Sequence, residues 1–205
     1  MNLHKYRKHS FEPTLSNIIQ IACGSEHSIC INSIGDIFTF GYNKYGQLGT
    51  GDLFNKYVPT KITVHNMLTK QISCGSCHTL VLDNIGNVYG FGSNDNGQLG
   101  LDKQKIKQAI KISFVTDIIE ICATSNRTLA LTSDRDVYSC GTNYDDCLNL
   151  GKVSYCIHTP IKLPSLKNIT HICAGISHTL LLDKENILYS YGDNSYGQLS
   201  NNVPL

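Results

Sequence analysis

The stretch Gly41-Tyr42-Asn43-Lys44-Tyr45-Gly46-Gln47-Leu48-Gly49 decides the fold, because recognisable copies of it recur along the chain. The copies lie at 92–100, 141–149 and 192–200, so their opening glycines are 51, 49 and 51 residues apart. A fixed period of this size indicates an architecture of structural repeats, in which each repeat buries its faces only against its neighbours. The sequence is therefore interpreted repeat by repeat.

The residues around each copy predict short β-strands. In the second repeat the segments are Gln71–Cys74, His78–Leu82 and Asn87–Phe91, each four to six residues long and bounded by turn residues. An isoleucine marks the first strand of every repeat, at Ile21, Ile72, Ile121 and Ile172. A fourth short segment follows a polar link, near 59–62 in one repeat and 160–163 in another. The pattern predicts about four antiparallel strands per repeat, which is the content of one propeller blade.

Three sets of residues carry a resemblance to a known family. They are Ile72–Leu82, Gly86–Gly92 and Asn94–Gly100, and the Gly-Gln-Leu motif recurs at Gly46, Gly97 and Gly197 in phase with His27, His78 and His178. The sequence resembles the regulator of chromosome condensation repeat family, whose members form β-propellers, typically of seven blades. Kelch repeats have a similar period, whereas WD40 repeats are shorter and carry a Trp-Asp motif. This chain contains no tryptophan.

The repeats divide the chain into an expected flexible basic arm at 1–10 and a repeat domain at 11–205. The expected repeats span about 11–58, 59–108, 109–158 and 159–205. The expected fold class is all-β, a propeller-type array of about four four-stranded blades that forms an open arc or partial propeller. The end strands of such an arc invite self-association. Completion of the last blade by the amino-terminal segment is the alternative.

The third repeat departs most from the pattern. Arg127 stands where the other repeats have histidine, Thr124 replaces glycine, and Asp146-Cys147-Leu148-Asn149 replaces Gly-Gln-Leu-Gly. Its strand pattern survives, so we expect a blade with an altered loop.

The composition disfavours several partners. The net charge is +1 and the pI is about 7.6, whereas nucleic acid and anionic membranes are normally met by a clustered positive field. No stretch approaches the roughly 20 apolar residues that span a bilayer, and the first residues lack the apolar run of a secretory signal. We therefore expect an intracellular protein, cytoplasmic or nuclear, with no membrane partner.

Histidine and cysteine are the residues that suggest metal or redox chemistry. His27, His78 and His178 recur with the repeat, so we expect a structural role, such as a hydrogen bond to a neighbouring loop. The nine cysteines are expected to be free thiols, and several lie in predicted strands as small core residues. Cys74 and Cys77 form a lone C-x-x-C pair, which is a weak signal without a second pair. We predict no catalytic residue, metal or cofactor.

The glycine stretches divide into residues that maintain the repeat and residues that vary. Their glycines and asparagines are interpreted as turn positions with positive φ. The predicted structural positions, besides the three histidines, are Gly41, Gly46, Gln47, Gly92, Gly97, Gln98, Gly141, Gly192, Gly197 and Gln198. The predicted interaction loops contain Tyr42, Lys44, Tyr45, Asp95, Tyr144, Asp145, Asp146 and Tyr196.

The leading functional hypothesis is a non-enzymatic protein–protein interaction module that binds its partner through these loops. The resemblance also implies an alternative, nucleotide exchange on a small Ras-like GTPase or regulation of one, and it implies a chromatin-associated protein as another partner. Founding members use an inserted β-wedge for exchange, and the links 52–71, 102–120 and 152–171 are short for such an insertion. A zinc or redox protein is the second alternative.

Overall fold

The computed structural model describes residues 15–64, 68–113, 117–151, 154–164 and 166–200, and these residues form an all-β structure. The first sheet contains β1 (Ile18–Cys23), β2 (His27–Asn32), β3 (Ile37–Gly41) and β4 (Lys56–Ile62). The second contains β5 (Thr69–Cys74), β6 (His78–Asp83), β7 (Val88–Ser93) and β8 (Lys105–Lys111). The third contains β9 (Ile118–Thr124), β10 (Arg127–Thr132), β11 (Val137–Thr142) and β12 (Cys156–Lys162). The fourth contains β13 (Ile169–Ala174), β14 (His178–Asp183) and β15 (Leu188–Gly192).

Each sheet is an antiparallel meander whose strands follow chain order. The register is the same in all four sheets: His27 pairs with Gly41, His78 with Gly92, Arg127 with Gly141 and His178 with Gly192. The predicted all-β, propeller-type fold is confirmed. The fourth sheet has three strands among the described residues, and the predicted arm at 1–10 lies outside them.

Tight turns with left-handed backbone join the second and third strands of each sheet. The turn position is Gly35 (φ 88°), Gly86 (φ 87°), Arg135 (φ 68°) or Asn186 (φ 61°). In the second sheet Asp83 completes the turn, because its Oδ1 accepts the N–H groups of Ile85 (3.0 Å) and Asn87 (2.8 Å). The turn geometry and these bonds fix the hairpin register.

The sheets stack in chain order through their first strands, with β1 against β5, β5 against β9 and β9 against β13. Side-chain amides bridge these strands. Gln71 donates from Nε2 to the carbonyl of Ile121 and accepts the Ile121 N–H at Oε1, both at 2.9 Å. One apolar cluster fills the space between the first three sheets and a second lies between the third and fourth. The sheets are thus joined face to face.

The isoleucine that marks each first strand shows where stacking ends. Ile72, Ile121 and Ile172 are buried against the preceding sheet, with 7%, 2% and 5% exposure, whereas Ile21 is 77% exposed. At the other end Leu188 and Tyr196 are exposed. The four sheets therefore form an open, partial propeller over the described residues. The same residues contain no helix long and apolar enough to span a bilayer.

Candidate interaction surface

The glycine stretches lie together at one edge of the stacked sheets. Strands β3, β7, β11 and β15 all end at this edge, where the loops 42–55, 94–104, 143–151 and 193–200 begin. We call it the loop edge. The opposite edge carries the turns 33–36, 84–87, 133–136 and 184–187, and we call it the turn edge.

An asparagine side chain holds each loop from inside. The Oδ1 atom of Asn43 accepts the N–H of Leu48 at 2.9 Å, and Asn94 accepts that of Leu99 at 2.8 Å. The same bond recurs at 3.0 Å from Leu148 to Asn143 and from Leu199 to Asn194. None of these four asparagines has positive φ, so the turn interpretation was wrong for them, whereas it is right for Gly46 and Gly97. The missed signal was their recurrence at positions 43, 94, 143 and 194.

A glutamine closes the loops of the first, second and fourth sheets. Gln47 Oε1 accepts the N–H of Tyr45, and Gln98 Oε1 accepts that of Asn96, both at 3.0 Å. Gln198 does the same for Tyr196 at 2.9 Å. Because Gln47 and Gln98 are fully buried, they support the loop from below and leave its outer residues free to vary.

The glycines of the first two loops allow each of them to pack on the outer strand of the next sheet. Gly46 (φ 83°) faces the carbonyl oxygen of Ile106, which would lie 2.7 Å from an added Cβ. Gly97 (φ 77°) faces the Cα of His158, which would lie 2.6 Å away. Both the backbone conformation and the close approach require glycine.

A relay of hydrogen bonds joins the histidines to the next sheet and back to the loop. His27 Nε2 lies 2.9 Å from Thr79 Oγ1, and this hydroxyl donates to the carbonyl of Gln47 at 2.8 Å. The second copy joins His78 to Thr128 (3.2 Å) and Thr128 to the Gln98 carbonyl (2.7 Å). Since each hydroxyl gives its proton to a carbonyl, it accepts from a protonated Nε2, so a neutral imidazole here is the Nε2–H tautomer.

Burial favours the same neutral form. Loss of solvation lowers the pKa of His27 to about 4 and that of His78 to about 3. The relay therefore joins adjacent sheets without a charged imidazole at neutral pH. His178, at the corresponding place in the last sheet, is half-buried.

The third sheet replaces this relay with arginine and cysteine. The buried Arg127 donates from Nη2 to the carbonyls of His178 (3.0 Å) and Gly175 (3.3 Å) and from Nη1 to Cys147 Sγ. Thr179 Oγ1 still donates to a loop carbonyl, that of Cys147, at 2.7 Å. The loop itself contains a short 3-10 turn, Tyr144–Asp146, as expected for an altered blade loop. Burial lowers the pKa of Arg127 and raises that of the Cys147 thiol.

The outer surface of the loop edge differs from sheet to sheet. The predicted interaction residues Lys44, Asp95, Tyr144, Asp145 and Tyr196 are exposed. The remaining three, Tyr42, Tyr45 and Asp146, are half-buried.

Aromatic contacts organise two of these loops. Lys105 Nζ lies 5.5 Å from the centre of the Tyr45 ring, and the rings of Tyr144 and Tyr155 are 5.6 Å apart. The loop edge thus presents tyrosines together with charges of both signs.

The cysteines and carboxylates do not assemble into a metal site. Within the described ranges, no group of three or more histidine, cysteine, aspartate or glutamate side chains is placed to hold an ion. All nine cysteines are free, and burial raises the pKa of Cys74 to about 12. The core expectation was wrong for Cys173, which is exposed, as is Cys23. Both lie on sheet faces that no other sheet covers among the residues that the structure describes.

Replacing Asn94 with alanine is expected to lower the free energy of unfolding by about 2 to 3 kcal/mol, because the buried loop groups that it bonds are left unsatisfied. These groups are the Leu99 N–H and the carbonyls of Leu101 and Lys103. Urea unfolding measures the change. The neighbouring exposed Asp95→Ala should alter stability by less than about 0.5 kcal/mol. Equal effects of the two variants would contradict the loop-anchor role.

Comparison with known proteins places these repeats in context. Two models of the regulator of chromosome condensation (RCC1) repeat match the chain, one at 35–82, 86–131 and 134–182, the other at 18–47, 69–98, 118–147 and 169–198. Among curated proteins, the ultraviolet-B receptor UVR8 of Arabidopsis thaliana is 28% identical over 89% of this chain and 42% of its own length. The probable E3 ubiquitin-protein ligase HERC6 of Homo sapiens is 31% identical over 87% of this chain and 18% of its own length.

Solved structures show the same fold. Prp20p of Saccharomyces cerevisiae has a TM-score of 0.78 at 24% identity, covering 91% of this chain and 47% of its own. Human WBSCR16 has a TM-score of 0.76 at 22% identity, covering 85% of this chain and 47% of its own. The chain thus spans less than half the length of each of these relatives.

Proposed function

The chain belongs to the regulator of chromosome condensation (RCC1) repeat family, and from this premise we propose that it is a non-enzymatic module that binds a protein partner through its loop edge. One observation carries the proposal. The buried residues that hold the loops, such as Asn43 and Asn94, recur from sheet to sheet, whereas the exposed residues outside them change. A rigid support with variable outer residues is how loops on a scaffold acquire specificity.

The chemistry of the loop edge fits a protein partner better than a nucleic acid. Tyr144, Tyr155 and Tyr196 supply exposed aromatic surface, which is typical of protein-binding sites. Charges of both signs lie nearby, at Lys44 and at Asp145, so no single-sign field favours phosphate. The mixed surface supports a folded protein as ligand.

Two structures of one relative suggest the class of that partner. Prp20p was described together with its binding to Gsp1p and histones, and yeast RCC1 (Prp20) forms a complex with Kap60. We extend to this chain only the general class, a small GTPase or a chromatin-associated protein. Because the chain covers 47% of Prp20p, the activity of the whole relative does not transfer with the fold.

The test compares variants of the two edges in quantitative capture experiments. The loop-edge variant carries Lys44→Ala, Asp95→Ala, Tyr144→Ala and Tyr196→Ala, all at exposed positions. The turn-edge variant carries Ile34→Ser and Ile85→Ser, also at exposed positions. Specific partners should decrease at least about tenfold on the loop-edge variant, which corresponds to about 1.4 kcal/mol, and should remain on the turn-edge variant. Equal retention by both variants would contradict the proposal.

A nucleotide-release assay separates this function from the exchange alternative. Purified small Ras-like GTPases loaded with fluorescent nucleotide are mixed with the full chain. We expect no acceleration of release. Acceleration that the loop-edge variant abolishes would establish exchange activity and would overturn the non-enzymatic assignment while retaining the surface.

A further inference from the structure

Over the described residues, 15–200 with their gaps, the stack of sheets ends in two open faces that carry complementary halves of the internal contacts. The start face is the side of the first sheet that bears Ile21, where Ile72 of the second sheet would meet a preceding sheet. The end face is the side of the fourth sheet that would meet a following sheet. Ile21 is 77% exposed and Ile72 is 7% exposed, so position in the stack, and not residue type, determines burial here.

At the first matched position, each open face carries a cysteine. Inside the stack, Ser73 Oγ accepts the N–H of Ala123 in the next sheet at 2.9 Å. Cys122 and Ala174 are the equivalent residues where the third and fourth sheets meet. One repeat further along, the residue equivalent to Ser73 and Cys122 is Cys173, on the end face. The residue equivalent to Ala123 and Ala174 in the first sheet is Cys23, on the start face. Both cysteines are exposed.

The second matched position pairs a histidine with a hydroxyl. The internal relay places His27 against Thr79 and His78 against Thr128. His178 occupies the same place on the end face. The first sheet has Ser28 where the others have threonine, so the start face offers the required hydroxyl.

The third matched position pairs a glycine with a strand. Gly46 and Gly97 pack against the outer strand of the next sheet. Gly197 has the same backbone conformation, with a φ of 80°, but nothing lies within 4 Å of the position that its Cβ would take. Lys56 pairs with Gly41 as Ile157 pairs with Gly141. Tyr57 therefore occupies in the first sheet the place that His158 occupies in the third, and it is 93% exposed.

From these three positions we infer that the start face of one chain docks on the end face of a second copy, repeating the contacts that join successive sheets. The contact is heterologous, so each copy uses one face as donor and the other as acceptor. Two reciprocal contacts related by a two-fold axis close the pair, and both open faces are buried together. Cys173 of one copy then lies beside Cys23 of the other.

Disulfide trapping tests the arrangement on the full chain. Diamide takes up the two thiol hydrogens and is reduced to its hydrazine as the Cys23–Cys173 bond forms between chains. The wild type and Cys77→Ser, which changes a cysteine on neither face, should give a covalent dimer. Cys23→Ser alone and Cys173→Ser alone should give none. An equal mixture of these two variants should give a covalent dimer again, since each supplies the thiol that the other lacks.

Light scattering provides the readout that does not depend on cysteine. The wild type should have twice the chain mass of 22.6 kDa. Ile21→Lys on the start face should weaken association at least about a hundredfold, because burying an unpaired charge costs several kcal/mol. Ile34→Lys should leave association unchanged, because Ile34 is exposed on the turn edge. The equivalent residue of the second sheet, Ile85, is also exposed although sheets lie on both sides of it, so docking does not bury this position. A monomer at all concentrations, an intrachain Cys23–Cys173 bond, or cross-linking that survives both serine substitutions would overturn the inference.

Discussion

Replacing Arg127 with alanine is expected to lower the free energy of unfolding by about 3 to 5 kcal/mol, as for other large side chains removed from a core. Arg127 is 1% exposed and fills the space between the third and fourth sheets. The two carbonyls that it bonds keep other partners, because Gly175 O also accepts from Thr124 Oγ1 and His178 O from the Gly175 N–H. Lost packing is therefore the main cause. Urea unfolding of the variant and the wild type measures the change.

Comparing two substitutions of Arg127 distinguishes the loss of its packing from the loss of its charge. No salt bridge joins Arg127 to a carboxylate within the described part of the chain, so its charge is buried at a cost. Arg127→Met fills much of the same volume without charge and should recover at least half of the alanine loss. The exposed Lys111→Ala serves as control and should change stability by less than about 0.5 kcal/mol. If Arg127→Met is as unstable as Arg127→Ala, polar bonding rather than packing is the cause.

Acidification from pH 7 to pH 5 is expected to destabilise the fold by about 4 kcal/mol through His27 and His78. Their folded pKa values, about 4 and about 3, lie below the ordinary value of 6.5. Above pH 6.5 both states are neutral and the stabilisation is fully present. As the pH falls from 6.5 towards 4, only the unfolded chain binds the protons, so each histidine lowers stability by about 1.4 kcal/mol per pH unit.

Urea unfolding at the two pH values tests this linkage. The double variant His27→Gln, His78→Gln keeps an amide donor near each threonine but cannot titrate in this range, so it should lose most of the pH dependence. His158→Gln, at an exposed position, should retain it. A double variant with the wild-type pH dependence would show that other groups cause the acid sensitivity.

The strands and their repeat were predictable because their causes are local. The segments predicted for the second repeat agree to within two residues at each end with the strands β5, β6 and β7. Turn residues such as Gly35 and Gly86 mark the hairpins, and the preference of glycine for positive φ made these turns predictable. An altered loop in the third repeat was likewise predicted, since Asp146-Cys147-Leu148-Asn149 replaces Gly-Gln-Leu-Gly there, but its 3-10 turn was not.

The environments of several side chains were not predictable, because they depend on the neighbouring sheet. Ile21 and Ile72 are the same residue at the same repeat position, yet one is exposed and the other buried. Cys173 and Cys122 differ for the same reason. The recurring asparagines were assigned to turns, because their role as anchors rests on hydrogen bonds across the loop, such as that from the Leu48 N–H to Asn43 Oδ1. Arg127 gave a clear signal of difference, but not of its contacts with Gly175 and His178.

The most direct test of the loop edge as the binding surface is hydrogen–deuterium exchange of the chain with and without a captured partner. The account predicts slower exchange on binding in the loops 42–55, 94–104 and 143–151, with no change in the turns 33–36 and 84–87. Protection of those turns, with unchanged exchange in the loops, would contradict it.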